Sequence, residues 1–388
     1  MLRIGRSLDN NEDVYIDDKK SRAILICGKR GSGKSYTMGV IVEELFQAKK
    51  SITLIVDPMG IYHTMSLPNM EQERLVWEWG LNPESLPVKV LVPGDPAERY
   101  GGKDIIDIME SRGVHFEPLR LNPSDVSPEG WCESFNVGIN EPMGIALTKA
   151  IIKCKKKYQR DFFIHHIIDQ IEFDTRASDA TKDALINRLE MAREWGMFEN
   201  TEYQDIWGVL DPSKANILDL STIESGRYGR RPLILSTMCR DLFTKRSVAR
   251  RKEELGLEAE MPKIWLFIDE AQQFIPSGKS SLAKEDLIRW VKEGRQPGLS
   301  LVLVSQQPSA IDMEVLSQCD VIISHALTTA VDKTALNKLT KDYMKGELKT
   351  YINKIARTGQ AVLVDDDSES VNIVQISPRK SKPGGSEA

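Results

Sequence analysis

The sequence predicts an α/β fold with a largely parallel central sheet, helices on both faces and a helical insertion. Three observations carry this. Residues 28–35 read Gly-Lys-Arg-Gly-Ser-Gly-Lys-Ser and fill every fixed position of the phosphate-binding pattern G-x-x-x-x-G-K-[ST]. An apolar run (Ala23, Ile24, Leu25, Ile26, Cys27) precedes them, and a helical spacing of Met38, Ile41, Val42, Leu45 and Phe46 follows. Further short apolar runs recur at strand–helix–strand spacing, which implies parallel pairing. Between about 125 and 210 that pattern gives way to helical stretches.

In chain order, residues 1–20 are short and polar, with a small hairpin expected from 2–5 and 14–16. The core that carries the phosphate loop spans 21–124 and 211–377. Its strands are expected at 23–27, 52–56 and 88–92, then at 217–220, 233–235, 264–268, 299–304, 321–323 and 361–364. The insertion, 125–210, holds helical patterns at 142–158, 160–173 and 180–195. A helix with a basic face is expected over 241–256. The stretch 378–388 is rich in Lys, Pro, Gly and Ser and is expected to be disordered.

Composition narrows the setting. The chain has 388 residues, of which 41% are hydrophobic and 28% charged, values ordinary for a soluble protein. Five cysteines (27, 132, 154, 239 and 319) form no C-x-x-C pair, which points to a reducing compartment and away from a disulfide framework or zinc ribbon. No apolar run approaches the length of a membrane span, and no signal-peptide core is seen near Met1, so the expected location is cytoplasmic, with no membrane partner. A net charge of −5 gives no global attraction to nucleic acid; DNA contact would need a local basic surface.

The candidate chemistry follows from residue types and positions. Gly28, Gly31, Ser32 and Gly33 let the backbone curl so that N–H groups face phosphate oxygens, and the helix opening at Tyr36 adds its dipole. Lys34 would reach the β- and γ-phosphates, and the Ser35 hydroxyl would bind Mg²⁺. The run 264–268 ends in Asp269-Glu270. Asp269 would hold the Mg²⁺ shell, and Glu270 would orient and polarise the attacking water. The strand at 299–304 ends in Ser305-Gln306-Gln307, where Gln306 can sense the γ-phosphate. ATP and Mg²⁺ are the expected cofactors. Adjacent His165 and His166 point to different helix faces and have no partner spacing, so no metal site is read there. Three basic clusters are candidates for phosphate-backbone contact: Lys153 to Arg160, Arg227-Arg230-Arg231, and Arg240 to Lys252. The Arg227 cluster, in a glycine-bearing loop, is the preferred pore element.

These motifs resemble the HerA/FtsK class of hexameric DNA-pumping ATPases, and HerA-like proteins most of all. The stretches that carry the resemblance are 24–35, Leu54-Ile55-Val56-Asp57-Pro58 with Gly60 and Tyr62, WLFIDEAQQF at 265–274, Glu293-Gly294-Arg295, LVLVSQQPS at 301–309, 315–320, and 378–385. The likeness is weak across 61–210. It implies a RecA-like P-loop fold, a homohexameric ring, Mg²⁺-dependent ATP hydrolysis driving movement on duplex DNA, and a nuclease or other effector partner. It further implies that Arg295 acts in trans on a neighbour's site and makes Arg22, shortly before the phosphate loop, a candidate γ-phosphate contact. The chain departs from the pattern at Ile61, Gln307 and Pro383, and has twenty residues where such proteins usually carry an N-terminal β-barrel. Two other readings stay open: a soluble conjugation or secretion ATPase of the same superfamily, and a nucleotide-gated ring scaffold that regulates an effector.

Overall fold

The computed structural model describes residues 1–198, 204–224, 229–258, 261–339, 341–344 and 346–385. Its strands are β1 (Leu2–Ser7), β2 (Asp13–Ile16), β3 (Ala23–Cys27), β4 (Ser51–Asp57), β5 (Val88–Pro93), β6 (Val114–Leu119), β7 (Ala215–Asp219), β8 (Lys263–Ile268), β9 (Leu299–Ser305), β10 (Val321–Ser324), β11 (Gln360–Asp365) and β12 (Ser370–Ile376). They form one twelve-stranded sheet in the order β2-β1-β12-β11-β10-β3-β9-β8-β4-β7-β5-β6. From β10 to β6 every pairing is parallel; β11, β12, β1 and β2 extend the sheet antiparallel. The central strands are nearly unbroken apolar runs because helices cover both faces.

Register places the chemistry. Cys27 pairs with both Ser305 and Ser324, Ile268 with Val56, and Asp57 with Asp219. The carboxyl ends of β3, β9, β8, β4 and β7 therefore align on one edge, where α/β sheets bind ligands. One face carries the helix Lys34–Ala48, whose Met38, Ile41, Val42 and Leu45 are buried against Ile24, Ile26, Phe267 and Val304. The other face joins the helices Pro128–Ser134, Pro142–Tyr158, Ile164–Glu172 and Asp179–Arg193, which lie between β6 and β7, to a core that includes Trp131, Leu147, Ile151 and Ile167.

Four features differ from the sequence reading. Leu233, Ile234 and Leu235 are not a strand: they open the helix Arg230–Glu254, of which the expected basic helix is the second half. All residues from Leu233 to Cys239 are buried, so apolar periodicity could not separate the two states. β6 was missed because His115, Glu117 and Pro118 interrupt its apolar pattern; it is the sheet's outermost strand, where proline is tolerated. β12 was missed too, because Ser370, Asn372 and Gln375 interrupt its apolar pattern; it pairs with β11 and with β1 of the expected β1–β2 hairpin.

The fourth difference is the stretch from Pro378. It is ordered through Gly385, while 386–388 lie outside the described residues. Arg379, Lys380 and Ser381 are buried. Composition suggested a solvated tail, but Glu43 of the Lys34–Ala48 helix supplies a buried carboxylate that gathers these groups. Leaving such a charge without its partner costs about 3–5 kcal/mol.

Candidate active site

β3 delivers the chain to the sheet's carboxyl edge, and the loop 28–35 turns there into the Lys34–Ala48 helix. Gly33 caps that helix with φ 107°, a conformation only glycine adopts without strain. At Gly28 a Cβ would stand 2.6 Å from the Cβ of His325. The loop closes on one carbonyl: the oxygen of Lys29 accepts from Ser32 N (3.3 Å), Ser32 Oγ (2.7 Å) and Lys34 Nζ (3.0 Å). The Lys34 ammonium thus stands inside the arc of the loop. Burial lowers its pKa, while Glu270 and Asp269 oppose that shift.

Ser35 Oγ donates to Asp269 Oδ2 at 3.3 Å, and Tyr62 Oη donates to the same oxygen at 2.8 Å. Burial raises the pKa of Asp269; the Tyr62 hydrogen bond opposes this, and the Glu270 charge adds to it. A hydroxyl and a carboxylate converging on one point are hard oxygen donors of the kind Mg²⁺ takes, and a cation there would offset the cost of burying the carboxylate. The donor set fits the metal. Tyr62 is itself aimed by Asp57, whose carboxylate accepts from the backbone N–H groups of Met59, Gly60 and Tyr62. Burial pushes Asp57 up to about 7.

Glu270 follows Asp269 in the left-handed region, at φ 47° and ψ 47°. Strain of this kind at a non-glycine residue persists only where its surroundings impose it. Here both carboxylate oxygens are held: Gln306 Nε2 donates to Oε1, and Gln272 Nε2 donates to Oε2 at 2.6 Å. Ser305 Oγ donates to Gln272 Oε1 at 2.7 Å and fixes that amide's orientation.

A buried histidine braces the other side of the loop. His325 Nδ1 lies 2.9 Å from the carbonyl of Gln360, and Nε2 lies 2.8 Å from Thr37 Oγ1. A carbonyl only accepts, so Nδ1 carries the proton and Nε2 accepts from the threonine hydroxyl. Burial lowers the His325 pKa to about 4, which keeps the ring neutral.

The structure brings Gly28, Gly31, Ser32, Gly33, Lys34, Ser35, Asp269, Glu270 and Gln306 together at one edge. Tyr36 stands beside them, its hydroxyl donating to Gln72 Oε1 (2.7 Å) and accepting from Arg379 N (2.8 Å). Arg22 is a correction. It sits at the amino end of β3, about 16 Å of strand from the loop. There it is buried among acids, with Asp367 Oδ2 at 2.8 Å and Asp320 Oδ2 at 3.6 Å, so it makes no contact with the phosphate loop of its own chain. Arg295 lies on that same amino edge. Its side chain is 68% exposed and pairs with Asp320 Oδ2 at 3.2 Å.

Sequence reasoning missed the roles of Tyr62, Gln272 and His325. Tyr62 and Gln272 lie within motif stretches, but nothing in a linear pattern says which oxygen each amide or hydroxyl reaches. Of the basic clusters, Arg227 lies outside the described residues. Arg231 Nη1 donates to Gln273 Oε1 at 3.1 Å, next to the Glu270 turn. The 240–252 cluster is largely neutralised within the chain: Arg240 pairs with Asp286, Lys245 with Asp241, and Arg246 and Arg250 with Glu253.

A family model described as the central domain of helicase HerA matches residues 2–240. The "DNA double-strand break repair helicase HerA" of Sulfolobus acidocaldarius is 24% identical over 390 residues, spanning all of this chain and 71% of the relative. A probable HerA of Methanocaldococcus jannaschii is 25% identical, over 97% of this chain and 76% of its own. Among solved structures, VirB4 of Thermoanaerobacter pseudethanolicus superposes with a TM-score of 0.60 at 14% identity, covering 97% of this chain and 96% of its own. The plasmid coupling protein TrwB, in complex with ADP and Mg²⁺, gives a TM-score of 0.54 at 12% identity, over 95% and 87% of the two chains. These two likenesses establish a RecA-like fold. No helix among the described residues is long and apolar enough to cross a membrane.

Proposed function

From the premise that this chain belongs to the HerA central-domain family and is an ATP-hydrolysing P-loop enzyme, we propose that it works as a ring-forming motor that moves on duplex DNA. In this reading Lys34 draws charge from the β- and γ-phosphates, and the N–H groups of 28–35 cradle them. Ser35 and Asp269 would hold Mg²⁺, which would supply charge neutralisation at the phosphoryl oxygens. Glu270 orients and polarises the attacking water. Gln306 reports the presence of the γ-phosphate to the Glu270 carboxylate it touches. A nuclease or another effector is the partner whose substrate the motor delivers.

One observation carries the ring. The hydrolytic set stands at the carboxyl edge of the sheet, while Arg295 stands exposed at the amino edge of the same protomer. An arginine there is far from its own protomer's hydrolytic set but free to approach another copy's site, where its guanidinium would neutralise transition-state charge. For DNA, the Arg227-Arg230-Arg231 cluster is the favoured grip, because Arg231, in the first turn of Arg230–Glu254, donates to Gln273 in the turn after Glu270.

The test compares ATPase rates with no polymer, with duplex DNA and with a DNA-free candidate protein partner, alongside particle mass by mass photometry. Stimulation by duplex DNA of a species near six protomers supports the motor. A rate indifferent to DNA but raised by the protein partner would replace it with the scaffold or secretion reading.

A further inference from the structure

At the amino edge of the sheet, opposite the hydrolytic set, lies a cavity of about 420 Å³, within the range of small-molecule sites. One wall is the last turn of the Lys34–Ala48 helix, through Leu45 and Ala48. The floor is the start of β4 and β8, through Ser51 and Lys263. The facing wall is the second half of the helix Arg230–Glu254, through Arg246 and Glu253. The turn that carries Arg295 is a near neighbour: a Cβ at Gly298 would stand 2.9 Å from Lys263 Cγ and 3.3 Å from Arg246 Nη2.

Arg246 is the feature that needs a ligand. Its side chain is 2% exposed, and only Nη2 is paired, with Glu253 Oε1 at 2.9 Å. Nε and Nη1 are buried and have no hydrogen-bond partner among the described residues. A guanidinium has five N–H donors and no acceptor, so more than half of this one is left unmade in the interior, a costly arrangement that native proteins keep for a reason. Glu253 cannot supply the rest, because it is shared: its Oε2 lies 3.3 Å from Arg250 Nη1. Asp18, the other acid lining the cavity, pairs with the amino group of Met1. Lys19 and Lys50 also line it and make no ion pair among the described residues. Lys263 Nζ donates to an uncharged acceptor, the carbonyl of Lys19, at 3.0 Å. Cations thus outnumber acids around the cavity, on a chain whose net charge is −5.

We propose that this cavity binds a small phosphate-bearing anion, with Arg246 as its anchor and Lys50 and Lys263 as flanking charges. The planar fork of a guanidinium matches two oxygens of a phosphate group, and the anion would take up the N–H groups that Glu253 leaves free. A single phosphate fills only a small part of the volume, so Leu45 and Ala48 leave an apolar wall for an organic portion. The site is separate from the loop 28–35, which stands at the other end of the strands. An anion seated here would lie against the turn that carries Arg295, the position of an effector rather than of a substrate.

The experiment uses the full chain carrying Lys34→Ala, which removes the ammonium of the phosphate loop, and inorganic pyrophosphate as the probe, with no nucleotide or DNA present. Calorimetric titration should show pyrophosphate binding, and the melting temperature should rise with pyrophosphate concentration. Adding Arg246→Met should weaken that binding tenfold or more and abolish the rise. Lys50→Glu, at an exposed position, should weaken it at least threefold, and keeps the test valid if Arg246→Met fails to fold. Lys103→Glu, an exposed charge reversal on the helix beside β6, should change affinity less than twofold. Absence of binding, or unchanged affinity in Lys50→Glu together with a folded Arg246→Met, overturns the assignment. Equal weakening by Lys103→Glu and Lys50→Glu also overturns it, because the attraction would then be diffuse. A repeat with duplex DNA in place of pyrophosphate separates the sources of phosphate: Arg246-dependent binding of DNA without binding of pyrophosphate would make the cavity part of a polymer contact and overturn the small-anion site.

Discussion

Gln306 and Glu270 are joined across neighbouring strand ends: the Gln306 amide donates to Glu270 Oε1, while Gln272 holds Oε2. The carboxylate that would polarise water is thus restrained on both oxygens. Replacing it with Glu270→Gln keeps its shape but removes the base. ATP should still bind, and turnover should fall by about 10²–10⁴, the usual worth of a general base. Gln306→Ala should keep ATP binding but change turnover less than Glu270→Gln, since it frees one oxygen and leaves the base in place. Binding titrations and steady-state ATPase rates read both. Intact turnover in Glu270→Gln would move the base elsewhere.

Tyr62 acts through Asp269. Its hydroxyl stabilises the ionised carboxylate, and its loss raises the Asp269 pKa further. Tyr62→Phe should therefore raise the Mg²⁺ concentration for half-maximal ATPase activity roughly tenfold, the value of one hydrogen bond to a charged group. It should also shift the acid limb of the pH–rate profile upward. A purely structural role would lower melting temperature without moving either. Titrating Mg²⁺ at pH 6.5 and pH 8 separates the two.

Arg295 and Lys34 occupy opposite edges of one sheet, so a defect in each should complement the other. Arg295→Ala and Lys34→Ala should each be inactive, the former still binding ATP. In mixed rings, interfaces that pair Lys34 of one protomer with Arg295 of the next hold every group. An arginine finger is worth about 10³–10⁵ in rate, so even a few such interfaces should rise above background. Subunit exchange is followed by fluorescence transfer between labelled protomers. Exchange without recovered ATPase activity would count against the trans role.

His325 sets a pH dependence of stability. Its ring titrates near 6.5 when unfolded and about 4 when folded, because burial disfavours the charged form. Between those values the unfolded chain binds the extra proton. Stability is therefore complete above about 6.5 and falls as pH drops toward 4. His325→Gln should lower the melting temperature overall yet flatten its decline over that window. An unchanged slope would show that other groups set it.

What the sequence revealed and what it hid divide along one physical line. Lys34, Ser35, Asp269, Glu270 and Gln306 were legible because each sits at a fixed offset from a strand end, and strand ends are marked by apolar runs. Arg22 was misplaced for the same reason: proximity in sequence to the loop concealed that β3 carries it to the opposite edge. Tyr62, Gln272 and His325 act across distances of 207, 33 and 288 residues to their partners Asp269, Ser305 and Thr37, or through a local amide whose direction a pattern does not encode. The segment from Pro378 was read by composition, which predicts solvation only if no buried partner waits for it. Leu233 to Leu235 failed because every residue from Leu233 to Cys239 is buried, which leaves no period to detect.

The seating of Arg379 on Glu43 also sets an order of events during synthesis. The two residues are 336 positions apart. At ~5–20 residues per second, the phosphate-loop helix would emerge from the ribosome on the order of 20 to 70 s before its counter-ion does. β3 likewise waits for β9 and β10, its neighbours on either side. During that interval Glu43 faces water rather than a protein interior, and the β-strand that precedes the loop has both edges open. A nascent chain can therefore show a complete motif long before it owns a site, and interruptions late in translation should leave a product that a chaperone recognises and a nucleotide does not.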